Sequence, residues 1–212
     1  MNLRRLDATP RKRPRQARAV ATVDAIVTAA AQVLLAHGYE NATTARVAER
    51  AGVSVGSLYQ YFPNKESLVA ELIERHAQDL VSTITHAIDD FPHATLEAGL
   101  EAAIGAVIGA HRIDPRLHKI LHEQIPRVGR LAKAMNAERE IAKAFERLLR
   151  RHAEELPPAC DPALAAVVVE TVIEAIGHKA VLEPRCGLAG AAGAREALRL
   201  VRNYLLPAAA PA

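Results

Sequence analysis

The sequence predicts an all-α chain, and three observations carry that prediction. Half of the 212 residues are apolar but only 3% are aromatic, with Ala and Leu abundant, a composition that favours helices over sheets. Apolar residues recur every three or four positions through most of the chain. Caps, glycines and prolines punctuate those periodic runs where helices would start and stop. The length suits one or two domains and is enough to bury a sizeable core.

Residues 1 to about 16 contain Pro10 and Pro14 and no apolar period, so a disordered basic arm is expected. Within residues 1–18, Arg4, Arg5, Arg11, Lys12, Arg13, Arg15 and Arg18 stand against Asp7 alone, giving +6; the rest of the chain then carries −3 of the total +3. Such an arm is either a solvated tail or a reach toward DNA phosphates or the minor groove.

Ala17 to His37 reads as the first helix, with Val20, Val23, Val27, Ala30, Ala31 and Leu34 at helical spacing and Gly38 just past its end. Thr43 and Thr44 then cap a short helix whose apolar face is Val47, Ala48 and Ala51. Gly52 can take the positive φ that closes it. Ser54 caps another short helix, with Leu58 and Phe62 on its inner face and Pro63 as its stop. Two short helices about a Gly-containing turn form either a helix-turn-helix or an ordinary αα-corner. In a helix-turn-helix the second helix enters the major groove. Val55, Gly56 and Ser57 are small enough for close approach to base edges there, together with Gln60. Thr43, Thr44, Tyr59, Tyr61 and Lys65 supply donors for phosphates.

Asn64 caps the next helix, which runs to about Asp90 with Leu68, Leu72, His76, Leu80, Ile84 and Ile88 four apart. Phe91 and Pro92 break it. Thr95 caps a helix to about Ile113 that is rich in small residues, among them Gly99, Gly105 and Gly109. Interior glycines cost about 1 kcal/mol each, so they imply either close helix packing or room for a ligand. Asp114-Pro115 opens a short helix to about Gln124. A long helix follows from Val128 to about Glu155, with Leu131, Met135, Ile141, Phe145, Leu148 and Leu149 inward. Pro157-Pro158 ends it. Asp161-Pro162 opens Ala163 to Leu182, and a Gly/Ala-rich loop leads to a last helix, Ala194 to Leu206, before a tail at 207–212.

The stretch Thr43 to Lys65 resembles the DNA-binding segment of the tetracycline-repressor (TetR) family of bacterial regulators. The matching residues are Thr43, Thr44, Val47, Ala48, Ala51, Gly52, Val53, Ser54, Gly56, Tyr59, Phe62 and Lys65, at the family's spacing. Tyr61 departs from the His that many members carry, but a phosphate donor is retained. The resemblance covers roughly residues 17 to 68; beyond that it extends only to length and helical layout. It implies a helix-turn-helix head at 17–63 and a helical domain for effector binding and dimerisation at 64–206. It implies a homodimer joined by the last two helices, with Val167, Val168, Val172, Ile176, Leu198, Val201 and Leu205 at the interface; otherwise these side chains fill the monomer's own core. It further implies a palindromic operator in double-stranded DNA, and a small-molecule effector bound in the C-terminal domain. Candidate polar contacts for that effector are His76, His111, His122, Gln124, Glu170 and His178.

Other chemistries find less support. His118 and His122, four apart, can present two imidazoles to one metal, but no third ligand is placed and none is assigned. No phosphate loop, nucleophile elbow or C-x-x-C motif occurs, so neither catalysis nor a cofactor is expected. Cys160 and Cys186 suit a reducing cytosol, and no membrane span is expected, so a cytoplasmic regulator is the expectation.

Overall fold

The structure is a computed structural model that describes residues 16–90, 92–112, 114–123 and 127–206, with the side chains of 122–135 and 184 outside that description. The basic arm up to residue 15, Phe91, Ile113, Gln124, the His122 side chain, and Leu131 and Met135 of the expected core therefore lie outside the described residues. Every regular element among the described residues is helical. The chain divides into two compact units, residues 1–77 with 116–134, and residues 78–115 with 135–212.

The first unit begins with α1 (Ala17–Asn41), whose buried Val23, Ile26, Val27, Ala30, Val33 and Leu34 follow the helical period. Regular helix stops at Gly38 (φ 72°, ψ 172°), as the sequence predicts; Tyr39 to Asn41 form one further turn beyond the break. By length and composition α1 could cross a membrane, contrary to the sequence expectation of no such stretch. Its apolar residues instead cluster with those of its neighbours, and Asp24 pairs with Arg75 at 2.6 Å. These are the marks of a core helix.

Next come α2 (Thr44–Ala51) and α3 (Val55–Tyr61). Thr43 Oγ1 accepts from the Arg46 amide at 3.3 Å, and Ser54 Oγ from the Ser57 amide at 3.0 Å. Gly52, between the helices, is left-handed (φ 68°, ψ 29°). In α4 (Lys65–Asp89) the first turn is capped by Asn64 Oδ1, which accepts from the Ser67 amide at 2.7 Å. Val47, Ala48, Leu58, Phe62, Leu68 and Leu72 close the core around α1. Each large side chain so buried is worth about 2 kcal/mol. Leu117 and Leu121 of α6 (Pro115–Glu123) also belong to this core. Compactness therefore groups a late segment with the head, a pairing invisible to a cut at residue 64.

The second unit holds the end of α4, α5 (Leu96–His111), most of α7 (Arg127–Arg151), α8 (Pro162–Leu182) and α9 (Ala191–Leu205). Its core includes Ile84, Ile88, Leu100, Ile104, Phe145 and Leu148. Thr95 and Asp161 cap α5 and α8, accepting amides at 3.2 and 3.0 Å. The last helix starts three residues before the expected Ala194, because Gly190 (φ 62°, ψ −133°) makes the turn and the small residues after it are already helical. Gly99 is the clear case of close packing. A Cβ there would sit 2.6 Å from Leu148 Cδ1, so a larger residue would require Leu148 to move. At Gly105 and Gly109 nothing among the described atoms lies within 4 Å, so packing does not account for those two.

Candidate nucleic-acid interface and a buried polar cluster

The outer side of α3 is assembled by its inner side. Leu58 and Phe62 are buried, which turns Val55, Gly56, Tyr59 and Gln60 toward solvent. Val55 and Tyr59 remain 42% and 41% exposed. Gly56 is the informative residue. Its φ is not positive, and an added Cβ would meet only Ser54 Oγ at 3.8 Å. Nothing in the fold requires glycine there, although glycine weakens a helix.

The phosphate candidates separate into two kinds. Thr43 and Thr44 stand at the start of α2, and Thr44 Oγ1 shares a 3.1 Å hydrogen bond with Tyr59 Oη, tying α2 to α3. Tyr61 and Ser57 are half-buried. Lys65 is engaged by the head itself: its Nζ donates to the Tyr39 carbonyl at 2.9 Å and lies 4.1 Å from the Tyr39 ring centroid. An ammonium has three N–H groups, so Lys65 braces Tyr39 and retains donor capacity. Sequence reasoning missed two exposed cations beside this surface. Arg46 donates to the Asn41 carbonyl at 2.9 Å and Arg50 to Gln32 Oε1 at 2.6 Å. An Arg-x-x-x-Arg spacing on α2 was the available signal.

In the second unit, the expected effector residues His111 and His178 come together, their ring centroids 5.0 Å apart. The residue that joins them, Glu174, was not singled out in the sequence. Its Oε1 lies 3.3 Å from His111 Nε2 and 3.1 Å from His178 Nε2. The Glu174–His178 spacing of four on α8 is a signal that could have found it. Burial opposes protonation of His111, but the Glu174 carboxylate and the Val107 carbonyl, 2.8 Å from Nδ1, outweigh it and raise its pKa. Burial likewise opposes ionisation of Glu174, and the two imidazoles overcome it, holding that carboxyl well below the usual range.

Glu170, one turn earlier, has the opposite fate. It is only 7% exposed. Burial, then the charges of Glu174 and Glu138, push its pKa up to about 7 against a weak Thr171 hydrogen bond. Its Oε1 has no hydrogen-bond partner among the described residues. The expected His76 instead meets His118 in the first unit, Nε2 to Nδ1 at 3.1 Å.

The expected dimer residues also divide. Val201 and Leu205 are 2% and 1% exposed inside the unit's own core, a correction to their placement on a dimer surface. Val172, Ile176 and Leu198 are partly buried against that core, and Val168 is half-buried. The helical phase explains this: the inward stripe of α9 runs through Ala197, Val201 and Leu205, leaving Leu200 and Tyr204 outside at 45% and 48%. On α8, Leu164 and Val167 are exposed at 61% and 52%.

Known proteins match both units. Residues 26–72 match the description "Bacterial regulatory proteins, tetR family", and residues 95–205 match "Tetracyclin repressor-like, C-terminal domain". The chain is 39% identical over 84 residues to the nucleoid occlusion factor SlmA of Haemophilus ducreyi, covering 40% of this chain and 41% of that one. It is 38% identical over 63 residues to the transcriptional activator FasR of Mycolicibacterium smegmatis, covering 30% and 29%. The matched stretches thus span less than half of these two relatives. Among solved structures, the fatty acid degradation regulator FadR of Bacillus halodurans superposes with a TM-score of 0.68 at 22% identity, covering 90% of this chain and 96% of that one. SmeT, the repressor of the Stenotrophomonas maltophilia multidrug efflux pump SmeDEF, gives 0.67 at 21% identity, covering 91% and 98%. Likeness at that identity speaks to the fold.

Proposed function

This chain belongs to the TetR family of bacterial regulatory proteins, and from that premise we propose a sequence-specific DNA-binding transcriptional regulator, a repressor released from a palindromic operator by a small-molecule effector. The observation that carries the reading is Gly56. A solvent-facing glycine on a helix, demanded by neither φ nor packing, is explained by an external surface that must come close. Double-stranded DNA is that surface, with Val55, Gly56, Ser57 and Gln60 toward base edges. Thr43, Thr44, Tyr59, Tyr61 and the remaining donor capacity of Lys65 face phosphates.

A palindrome needs a twofold pair of heads. The exposed Leu164 and Val167 of α8 and Leu200 and Tyr204 of α9 form the apolar stripe we assign to a homodimer, with Val168, Val172, Ile176 and Leu198 at its border. The effector acts from the C-terminal helical domain, releasing DNA by binding the DNA-incompetent state more tightly. A cytoplasmic location and a role without catalysis complete the reading.

The test is selection of duplex DNA by the purified full chain from a random pool. A twofold-symmetric motif should be enriched, and Gly56→Leu should lose on the order of a hundredfold in affinity for it, the value of one or two base contacts at 1–3 kcal/mol each. An unenriched pool, or a Gly56→Leu protein that binds the motif as wild type does, overturns the proposal.

A further inference from the structure

We propose that His111, Glu174 and His178 form a binding site for a divalent transition-metal ion of the zinc class, held by two imidazole nitrogens and one carboxylate oxygen. Three features of the second unit lead there. First, the donor atoms have the right spacing. Bonds of about 2.0–2.1 Å at tetrahedral angles place neighbouring ligand atoms about 3.3 Å apart. Glu174 Oε1 lies 3.3 Å from His111 Nε2 and 3.1 Å from His178 Nε2. The two imidazoles offer ring nitrogens within 4.8 Å of each other.

Second, His111 has the outer partner that metal-bound histidines use. Its Nδ1 lies 2.8 Å from the Val107 carbonyl, so Nδ1–H donates there and Nε2 is turned toward Glu174. A backbone carbonyl on the far nitrogen fixes the tautomer and aims the lone pair at an ion. Third, an unpartnered polar group lies nearby. Glu170, 7% exposed and one turn from Glu174, has a carboxyl oxygen with no hydrogen-bond partner among the described residues. A dication bound at Glu174 would lower the cost of burying that carboxyl.

The ligand set selects the ion class. Imidazole nitrogen with carboxylate oxygen suits zinc and its first-row neighbours over calcium or magnesium. Glu174 and His178 side chains are each about a quarter exposed, 25% and 26%, so an ion can enter. Three protein ligands leave a coordination position for water or for a donor atom of another molecule. The site joins α5 to α8, two helices of the same unit.

The experiment needs no DNA, so its outcome is separate from the operator reading. The full chain, stripped with chelator and dialysed, is titrated with Co2+ alone and followed by visible absorption, then with Zn2+ in competition. One Co2+ per chain should bind with a low-coordinate d–d spectrum that Zn2+ abolishes. His178→Gln and Glu174→Gln, checked for native helicity and melting, should each bind roughly tenfold or more weakly. Absence of the band in the wild-type protein, or its survival in both His178→Gln and Glu174→Gln, overturns the assignment.

Discussion

The two units differ in how their helical glycines and buried polar groups are used. In the first, Gly56 is left open on the surface, and the buried polar side chains are Ser67 and His118, the latter bonded to His76. In the second, Gly105 and Gly109 are open too, but Gly99 and Gly193 are filled against their neighbours, and His111 and Glu170 are buried beside the carboxylate of Glu174. A Cβ on Gly193 would come within 2.3 Å of the Leu188 carbonyl oxygen. The contrast teaches that glycine in a helix has two distinct causes. One is a demand from the chain's own packing; the other is a demand from something outside the chain. Only the space around the glycine tells them apart.

Breaking the comparison starts at Gly193. Gly193→Ala should destabilise the protein by about 3 kcal/mol, the upper range for overpacking, because the obstacle is backbone and cannot rotate away. A urea midpoint at the wild-type value would place Gly193 with Gly56 instead. Glu170 tests the polarity half. Its carboxyl is raised from 4.5 to about 7 in the folded state, so the folded chain binds that proton more tightly than the unfolded one. Its stabilisation is present below pH 4.5 and is lost as pH rises through 7. The stability gap between Glu170→Gln and wild type should therefore widen in the mutant's favour from pH 4.5 to pH 8, by up to about 3 kcal/mol. Burial is the largest cause of that shift and the charges of Glu174 and Glu138 come next, so a gap that stays constant across that range would mean that Glu170 keeps its water in the folded chain.

The head should show the milder effects. Gly52→Ala has open space around its Cβ but a left-handed backbone, and should cost about 1 kcal/mol in chemical denaturation. A neutral result would mean the turn between α2 and α3 relaxes. Smallest is Gly56→Leu, whose melting temperature should stay put or rise slightly, since Leu is the better helix former. A fall in melting temperature would show that the fold, not an external partner, constrains that position.

Much of the head was legible because its signals are local. Thr43, Ser54 and Asn64 cap as their side chains dictate, Gly52 turns, and Pro63 follows the end of α3; each acts within about four residues of itself. Thr43, Gly52 and Ser54 are also among the residues that carry the family resemblance. The C-terminal unit was legible as helices, through Thr95, Asp161 and the apolar period, but less so as a site. Glu174 reads as one more helical carboxylate until α5 places His111 against it. Val201 and Leu205 look identical in pattern to Leu200 and Tyr204 until helical phase against the core is known.

The sequence by itself therefore determined the class of fold, nearly every helix boundary, and the helix-turn-helix with its candidate DNA-facing residues. Those follow from backbone hydrogen bonding and side-chain period, which act along the chain. Tertiary structure alone decided which apolar stripe is inside, that Lys65 braces Tyr39, that Gly56 stands open while Gly99 is filled, and that His111, Glu174 and His178 share one point. The contacts of Lys65 with Tyr39, Gly99 with Leu148 and His111 with Glu174 and His178 join residues 26 to 67 positions apart, and no local period encodes the partner at the far end.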